Sequence, residues 1–347
     1  MIIDTHLHLI DKSALNYPWL DGVPALNRDF LFETYRKQAE RCGIEAALHM
    51  EVDVAADAIQ AETDHIQEIS RRSGDFIKGA IASCRPEEPG FAEYLERQRS
   101  NPFVKGFRRV LHVVPDDVSE GALFRENIKR LEGTGLTFDL CTLPHQIDKV
   151  LALADLAPGV QFVLDHCGVP DIKSGALESW QKGISEISQR DNVTAKISGV
   201  VAYADPENWT VDTVRPYVEH VIRSFGWDRV VWGSDWPVCT LATNADAGLS
   251  TWVATTHALL EGCSNDEKNA PVVRECNPSL EALKDRGGYR RIFPQPFETP
   301  FSTAPQDEGR RCRIKPSRQK RRPVGRRLFD QIASSTSLLA SSSKVHT

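Results

Sequence analysis

No Cys-x-x-Cys pair occurs in the 347 residues, although the chain holds 8 cysteines. Cys42, Cys84, Cys141, Cys167, Cys239, Cys263, Cys276 and Cys312 are scattered, and the chain is too long to need a disulfide scaffold. Free thiols are expected, and with them a reducing, cytoplasmic location. No apolar run reaches the ~18 residues of a membrane-spanning helix. The opening residues, Met1 to Asp11, lack the basic stretch and long apolar core of a secretory leader, so none is expected. No Gly-x-Gly-x-x-Gly follows the first apolar run, which counts against a dinucleotide-binding open sheet. Strong charge of one sign is also missing overall, because the net charge is only -6. That mean hides an asymmetry. The ten Lys and Arg of Arg310–Arg327 carry +10 with no acid among them, so -6 overall leaves -16 on the rest.

What is present is the composition of a globular protein, with 41% hydrophobic and 26% charged residues. Short apolar runs alternate with longer amphipathic stretches. Strands are predicted at Ile2–Thr5, Glu45–Glu51, Phe76–Ala82, Val104–Val110, Thr137–Cys141, Gln161–Leu164, Thr194–Ile197 and Arg229–Trp232. Helices are predicted between them, among others at Leu31–Cys42, Ala56–Arg72, Glu120–Glu132, Gln146–Leu156, Leu177–Gln189, Thr213–Phe225 and Ala247–Glu261. Leu31, Tyr35, Gln38, Ala39 and Cys42 keep the helical period. Glycines such as Gly43, Gly74, Gly135 and Gly226 punctuate helix ends. Strand–helix alternation with few hairpin signals predicts a parallel sheet. Eight such units fit a closed (β/α)8 barrel, the TIM barrel, in about 250 residues. One domain is expected over 1–268. Residues 269–347 are proline-rich, then basic, then serine-rich, and are expected to form an irregular, disordered tail.

In a parallel barrel the functional end is the C-terminal end of the strands. Strand one runs into His6 and His8, two residues apart and therefore facing one way, as two ligands of a divalent metal would. Strand two ends at Glu51. Strand four carries Lys105, Arg108 and Arg109, of which adjacent residues face opposite sides. Strand six leads to Asp165 and His166, and strand eight to Ser234 and Asp235. A lone His-x-His is a weak signal, but a convergence of charged groups on one mouth asks for a function, since an apolar core would leave them unsatisfied. Asp165 could equally orient an imidazole. Trp19 and Tyr17 could pack a loop or wall a substrate site. Cys141 and Cys167 have no evident base and read as structural thiols.

Six segments carry a resemblance: Ile3–His8, Tyr17–Leu20, Val104–Arg109, Leu164–Gly168, Lys196–Gly199 and Trp232–Pro237. In this order they resemble the amidohydrolase-2 family, and within it the fuconolactonase, rhamnonolactonase and sulfomuconolactone hydrolase group. The resemblance runs from residue 1 to 268. It implies a barrel, a hydrolase opening a lactone or related carboxylic derivative, and a site with one divalent metal, zinc first, or with none. After Lys268 the chain departs from the family's Asn-Ala…aromatic ending, and an aberrant end is one reading of the tail.

The expected reaction is attack of activated water on a small lactone of sugar-acid or muconolactone type. Asp235 is the expected base. His166 and Arg108 are expected to polarise the carbonyl. His6, His8, His166 and Asp235 would hold a metal. Glu51, Arg109, Lys105 and Trp19 are the expected substrate contacts. The rivals are a metal-dependent decarboxylase on the same barrel, a nucleic-acid binder using the basic tail, which lacks aromatics to stack bases, and an inactivated barrel.

Overall fold

The computed structural model describes residues 2–243, 246–261 and 263. Its eight strands are β1 (Ile2–Leu7), β2 (Ile44–Met50), β3 (Ile77–Ser83), β4 (Val104–Val110), β5 (Thr137–Cys141), β6 (Phe162–Leu164), β7 (Val193–Ile197) and β8 (Val230–Trp232). They pair in parallel, each with the next, in sequence order. The last strand returns to the first. Thr5 Oγ1 donates to the Trp232 carbonyl at 2.7 Å, and above it Asp235 N donates to His6 O and His8 N to Trp236 O, both at 2.8 Å. The fold is a TIM barrel, as expected from the alternation of elements. The expected boundary at 268 and the tail over 269–347 lie outside the described residues.

Eight helices follow the strands among the described residues: α1 (Phe32–Arg41), α2 (Ile59–Arg72), α3 (Phe91–Arg99), α4 (Ala122–Lys129), α5 (Ile147–Leu156), α6 (Glu178–Ile187), α7 (Val211–Phe225) and α8 (Gly248–Leu259). Each buries one stripe. In α1 the stripe is Phe32, Tyr35, Gln38 and Ala39, at helical spacing. Helix α7 starts two residues earlier than expected, because Thr210 and Thr213 cap each other reciprocally, Thr213 N to Thr210 Oγ1 at 3.3 Å and Thr210 N to Thr213 Oγ1 at 3.1 Å. The helix expected over Glu120–Glu132 is shorter. Gly121 takes an extended ψ of 138° and separates a 3-10 turn at Val118–Glu120 from α4. No helix among the described residues is long and apolar enough to cross a membrane. Cys42, Cys84, Cys141, Cys167 and Cys239 are buried thiols.

The direction of β4 decides which of its cations can serve the mouth. Phe107 packs edge-on against Phe91 of α3 (5.9 Å between ring centres), so the odd-numbered residues face the helices and Arg108 faces the axis. Gly106 allows close pairing of β4 with β5, because a Cβ there would stand 2.1 Å from Thr137 Oγ1.

Candidate active site

Three chain segments meet above the barrel. His6 lies inside β1 and His8 just beyond it. Asp235 follows β8, and the turn Asp165–Gly168 follows β6. Asp4 ties the first two together. Its Oδ1 accepts from Ser234 N at 2.7 Å and His6 N at 3.1 Å, while Oδ2 accepts from Tyr35 Oη at 2.7 Å. This fastens both histidine and aspartate segments to one carboxylate. The backbone is strained where the side chains are aimed. Asp235 (φ 56°), His166 (φ 53°), Cys167 (φ 56°) and Val169 (φ 47°) all adopt the left-handed region without being glycine. Each such residue costs on the order of 1–3 kcal/mol, and such residues cluster at functional sites. Trp180 of α6 helps hold the second turn by donating to the Cys167 carbonyl at 2.9 Å.

His6 Nε2, His8 Nε2 and Asp235 Oδ1 form a triangle with edges of 3.1, 3.3 and 3.7 Å. The hydrogens can be assigned from the partners. His8 Nδ1 faces the Met50 carbonyl at 3.0 Å, which only accepts, so the lone pair is on Nε2. His6 Nδ1 faces Asp165 Oδ1 at 3.4 Å, a long contact with an atom that only accepts, which leaves His6 Nε2 as a lone pair too. Burial pushes the His6 imidazole well below its ordinary value and lowers His166 as well, so both are neutral. Three acceptor atoms therefore converge, and the one donor against them is Arg108 Nη1, 3.4 Å from His6 Nε2. Such a set favours a cation between the three. Ligand atoms around a tetrahedral zinc with bonds of about 2.0 Å stand about 3.3 Å apart, which these edges match. Asp235 Oδ2 is buried without a hydrogen bond.

His166 stands on the other side of His6, with ring centres 4.6 Å apart. It groups with His6 and Asp165 rather than with His8 and Asp235. Its Nδ1 meets Ser198 Oγ at 3.0 Å and lies 3.7 Å from Asp235 Oδ2. The four residues expected from sequence to hold a metal thus fall in two triads that share His6, the second of which adds Asp165.

Beneath the mouth runs a buried chain of charges. Arg108 donates from Nε to Glu51 Oε1 at 2.6 Å, from Nη2 to the Glu51 carbonyl at 2.8 Å and from Nη1 to Asp165 Oδ2 at 3.3 Å. Lys196 Nζ contacts Asp165 Oδ1 at 2.9 Å and donates to Asp139 Oδ2 at 2.6 Å. Burial alone would raise Asp165. The Lys196 ammonium leads the effects that outweigh it and holds the carboxyl well below its usual range. Burial pushes Asp139 up to about 6 despite Lys196.

The geometry places four more of the residues expected from sequence. Glu51 is 1% exposed, with Arg108 on one carboxylate oxygen and Asp53 N (2.7 Å) on the other, so its side chain serves Arg108 first. Arg109 faces the helices and pairs with Glu87 at 2.7 Å. Lys105 lies at the first end of β4, opposite the mouth, with its ammonium on the Pro102 carbonyl at 2.6 Å. Arg108 reaches the floor of the site, where it engages Glu51 and Asp165 and brings Nη1 within 3.4 Å of His6 Nε2. Trp19 remains at the rim, donating from Nε1 to the Val52 carbonyl at 2.8 Å. The sequence reading missed Asp4, Asp139, Lys196 and Tyr203. Tyr203, on the turn after β7, packs edge-on to His166 at 6.0 Å. A lysine inside the otherwise apolar β7 was the available signal, since a buried ammonium requires an anionic partner.

A family model described as Amidohydrolase matches residues 3–272. An L-fucono-1,5-lactonase of Burkholderia ambifaria is 28% identical over 242 residues, spanning 69% of this chain and 81% of that protein. A 4-sulfomuconolactone hydrolase of Rhizobium radiobacter is 27% identical over 237 residues, spanning 67% and 75%. Among solved structures, an amidohydrolase from Burkholderia multivorans with bound Zn aligns with a TM-score of 0.69 at 25% identity, covering 78% of this chain and 95% of that one.

Proposed function

The chain belongs to the amidohydrolase family, and from that premise we propose that it hydrolyses a small lactone of the sugar-acid or muconolactone type. The observation that carries this reading is the triangle of acceptor atoms on His6, His8 and Asp235 beside the buried Asp235 Oδ2, which makes no hydrogen bond. The names of the relatives support the substrate class. Lactone opening adds water to the ring carbonyl and breaks the ring C–O bond, giving a carboxylic acid and a hydroxyl. It needs a base for the water, a positive partner for the oxyanion and a proton for the departing alkoxide.

His6, His8 and Asp235 would hold one divalent cation, zinc first, which would supply Lewis acidity at the mouth. Asp235 Oδ2 takes the proton from the attacking water and returns it to the alkoxide, so one carboxylate serves both steps. His166, neutral and fixed at Nδ1 by Ser198, donates from Nε2 to the carbonyl oxygen as charge develops there. Arg108 acts from below by fixing Glu51 and Asp165. Trp19 and Tyr203 wall the mouth and limit the water that enters with substrate.

The test is proton release in weak buffer from a panel of aldonolactones and muconolactones, with and without chelator. Acid release that chelator stops supports the reading. Acid release that survives chelator moves the chemistry to Asp235 and His166 without metal. Carbon dioxide from aromatic acids, with lactones inert, replaces the reading with the decarboxylase.

A further inference from the structure

We infer that Lys196 is a positioning residue for the metal triad, acting through Asp165 on His6. This rests on the reading of His6, His8 and Asp235 as a cation site. The argument starts from one oxygen. Asp165 Oδ1 is the atom that faces His6 Nδ1, at 3.4 Å, and it is the atom against which the Lys196 ammonium lies, at 2.9 Å. The other oxygen, Oδ2, belongs to Arg108 at 3.3 Å. The two cations therefore divide the carboxylate between them and fix its plane. A carboxylate free to turn would offer His6 either oxygen at changing distance. One pinned at both ends offers a single acceptor in a single place.

A neutral imidazole has one N–H and one lone pair. With its N–H drawn to Asp165, His6 turns the lone pair toward His8 and Asp235. Lys196 is itself fixed. It is buried, its Nζ is held at 2.6 Å by Asp139 from β5, and its stem rises from the middle of β7. The chain of contacts Asp139–Lys196–Asp165–His6 thus runs from the barrel interior to the ligand triangle. It gives a use to a buried lysine that touches no part of the mouth itself. Partners that orient a ligating imidazole are worth about 10–100-fold in metal affinity.

The experiment is zinc titration of the purified protein against a competing chelator, with lactone turnover read separately. Lys196→Met removes the ammonium while filling its space. Lys196→Gln, a milder change, stands in if the first fails to fold. Circular dichroism and thermal melts check the fold of each. Asp139→Asn is the comparison, because its amide oxygen still accepts from Lys196 Nζ, so that the change removes a buried charge while leaving the ammonium against Asp165. The expected result is one zinc per wild-type chain, affinity lowered at least tenfold in the folded Lys196 variant, and affinity within threefold of wild type in Asp139→Asn. On an Asp165→Asn background the Lys196 change is expected to cost nothing further, because the effect runs through that carboxylate. Zinc affinity unchanged in a folded Lys196 variant overturns the inference while leaving the triad intact. Equal losses in the Lys196 and Asp139 variants overturn it too, since they mark a general loosening of the barrel. A wild-type chain that binds no zinc overturns the triad reading itself.

Discussion

Replacing Gly199 by alanine is expected to disable the site through a single methyl group. Gly199 follows β7 with φ 59°, and a Cβ there would stand 2.0 Å from Asp235 Oδ2, 2.8 Å from its Cγ and 3.0 Å from its Cβ. Real Cβ atoms essentially never come closer than 3.0 Å, so the carboxylate oxygen must retreat by about 1 Å. A misplacement of that size costs on the order of 10²-fold in rate. That corresponds to about 2.7 kcal/mol of transition-state stabilisation. The backbone contributes separately, since alanine in the left-handed region costs about 1–2 kcal/mol of stability. Gly74 separates the two effects. It has φ 70°, and a Cβ there would meet nothing within 4 Å, so Gly74→Ala carries the backbone cost alone. Turnover on the best lactone, zinc affinity and urea unfolding of both variants make the assay. Gly199→Ala is expected to lose about 10²-fold in kcat/KM, and Gly74→Ala to lose only stability. Near-normal turnover in folded Gly199→Ala would refute the assignment of Asp235 Oδ2 to the chemistry.

Asp235→Asn is expected to lower kcat by about 10²–10⁴-fold with the fold intact, read by initial rates and circular dichroism; substantial residual turnover removes Asp235 as the base. Acidification is expected to remove the stability that buried neutral histidines contribute to the metal-free protein. Burial lowers His6, His49 and His166 and pushes His112 down to about 4, so below the ordinary value of 6.5 the unfolded chain binds protons that the folded chain refuses. Buried carboxyls oppose this: Asp139 is pushed up to about 6, and burial raises Asp4, Asp53 and Glu62 as well. The histidine contribution is read as the difference in urea midpoint between wild type and His112→Gln: that difference is expected to shift against wild type from pH 7.5 to 5.5, and a pH-independent difference contradicts a neutral buried His112. Zinc in excess is expected to raise Tm, by about 2.7 kcal/mol of added stability at 100 times Kd, and chelator to reverse it; a Tm indifferent to both speaks against the cation triangle.

The barrel was legible because its signal is repeated. Each strand is an apolar run and each helix a stripe, and errors at one element do not disturb the count. Boundaries were less so, as at Gly121, where a local backbone choice cut one expected helix short. The mouth was legible because a rule of the fold names the strand ends, and His6, His8, His166 and Asp235 sit there. What failed was direction and pairing. Lys105 and Arg109 lie next to useful neighbours in sequence, yet both share the outward face with Phe107. Glu51 looked available because its partner, Arg108, is 57 residues away. Asp139 and Lys196 are likewise 57 residues apart, and no local pattern announces that two strands will carry them to one point.

The hydrogen bonds that close the barrel have a temporal consequence. Ser234 N reaches Asp4 across 230 residues of sequence, and Thr5 reaches Trp232 across 227. Contacts of such separation form late, because loop closure must precede them. His6 and Asp235 flank this seam. On the proposed reading, a chain emerging from the ribosome holds its first two ligands from the start, yet has no complete ligand set until the eighth strand docks. Zinc capture in a refolding experiment would then serve as a clock for the last event, the meeting of the two ends of the sheet.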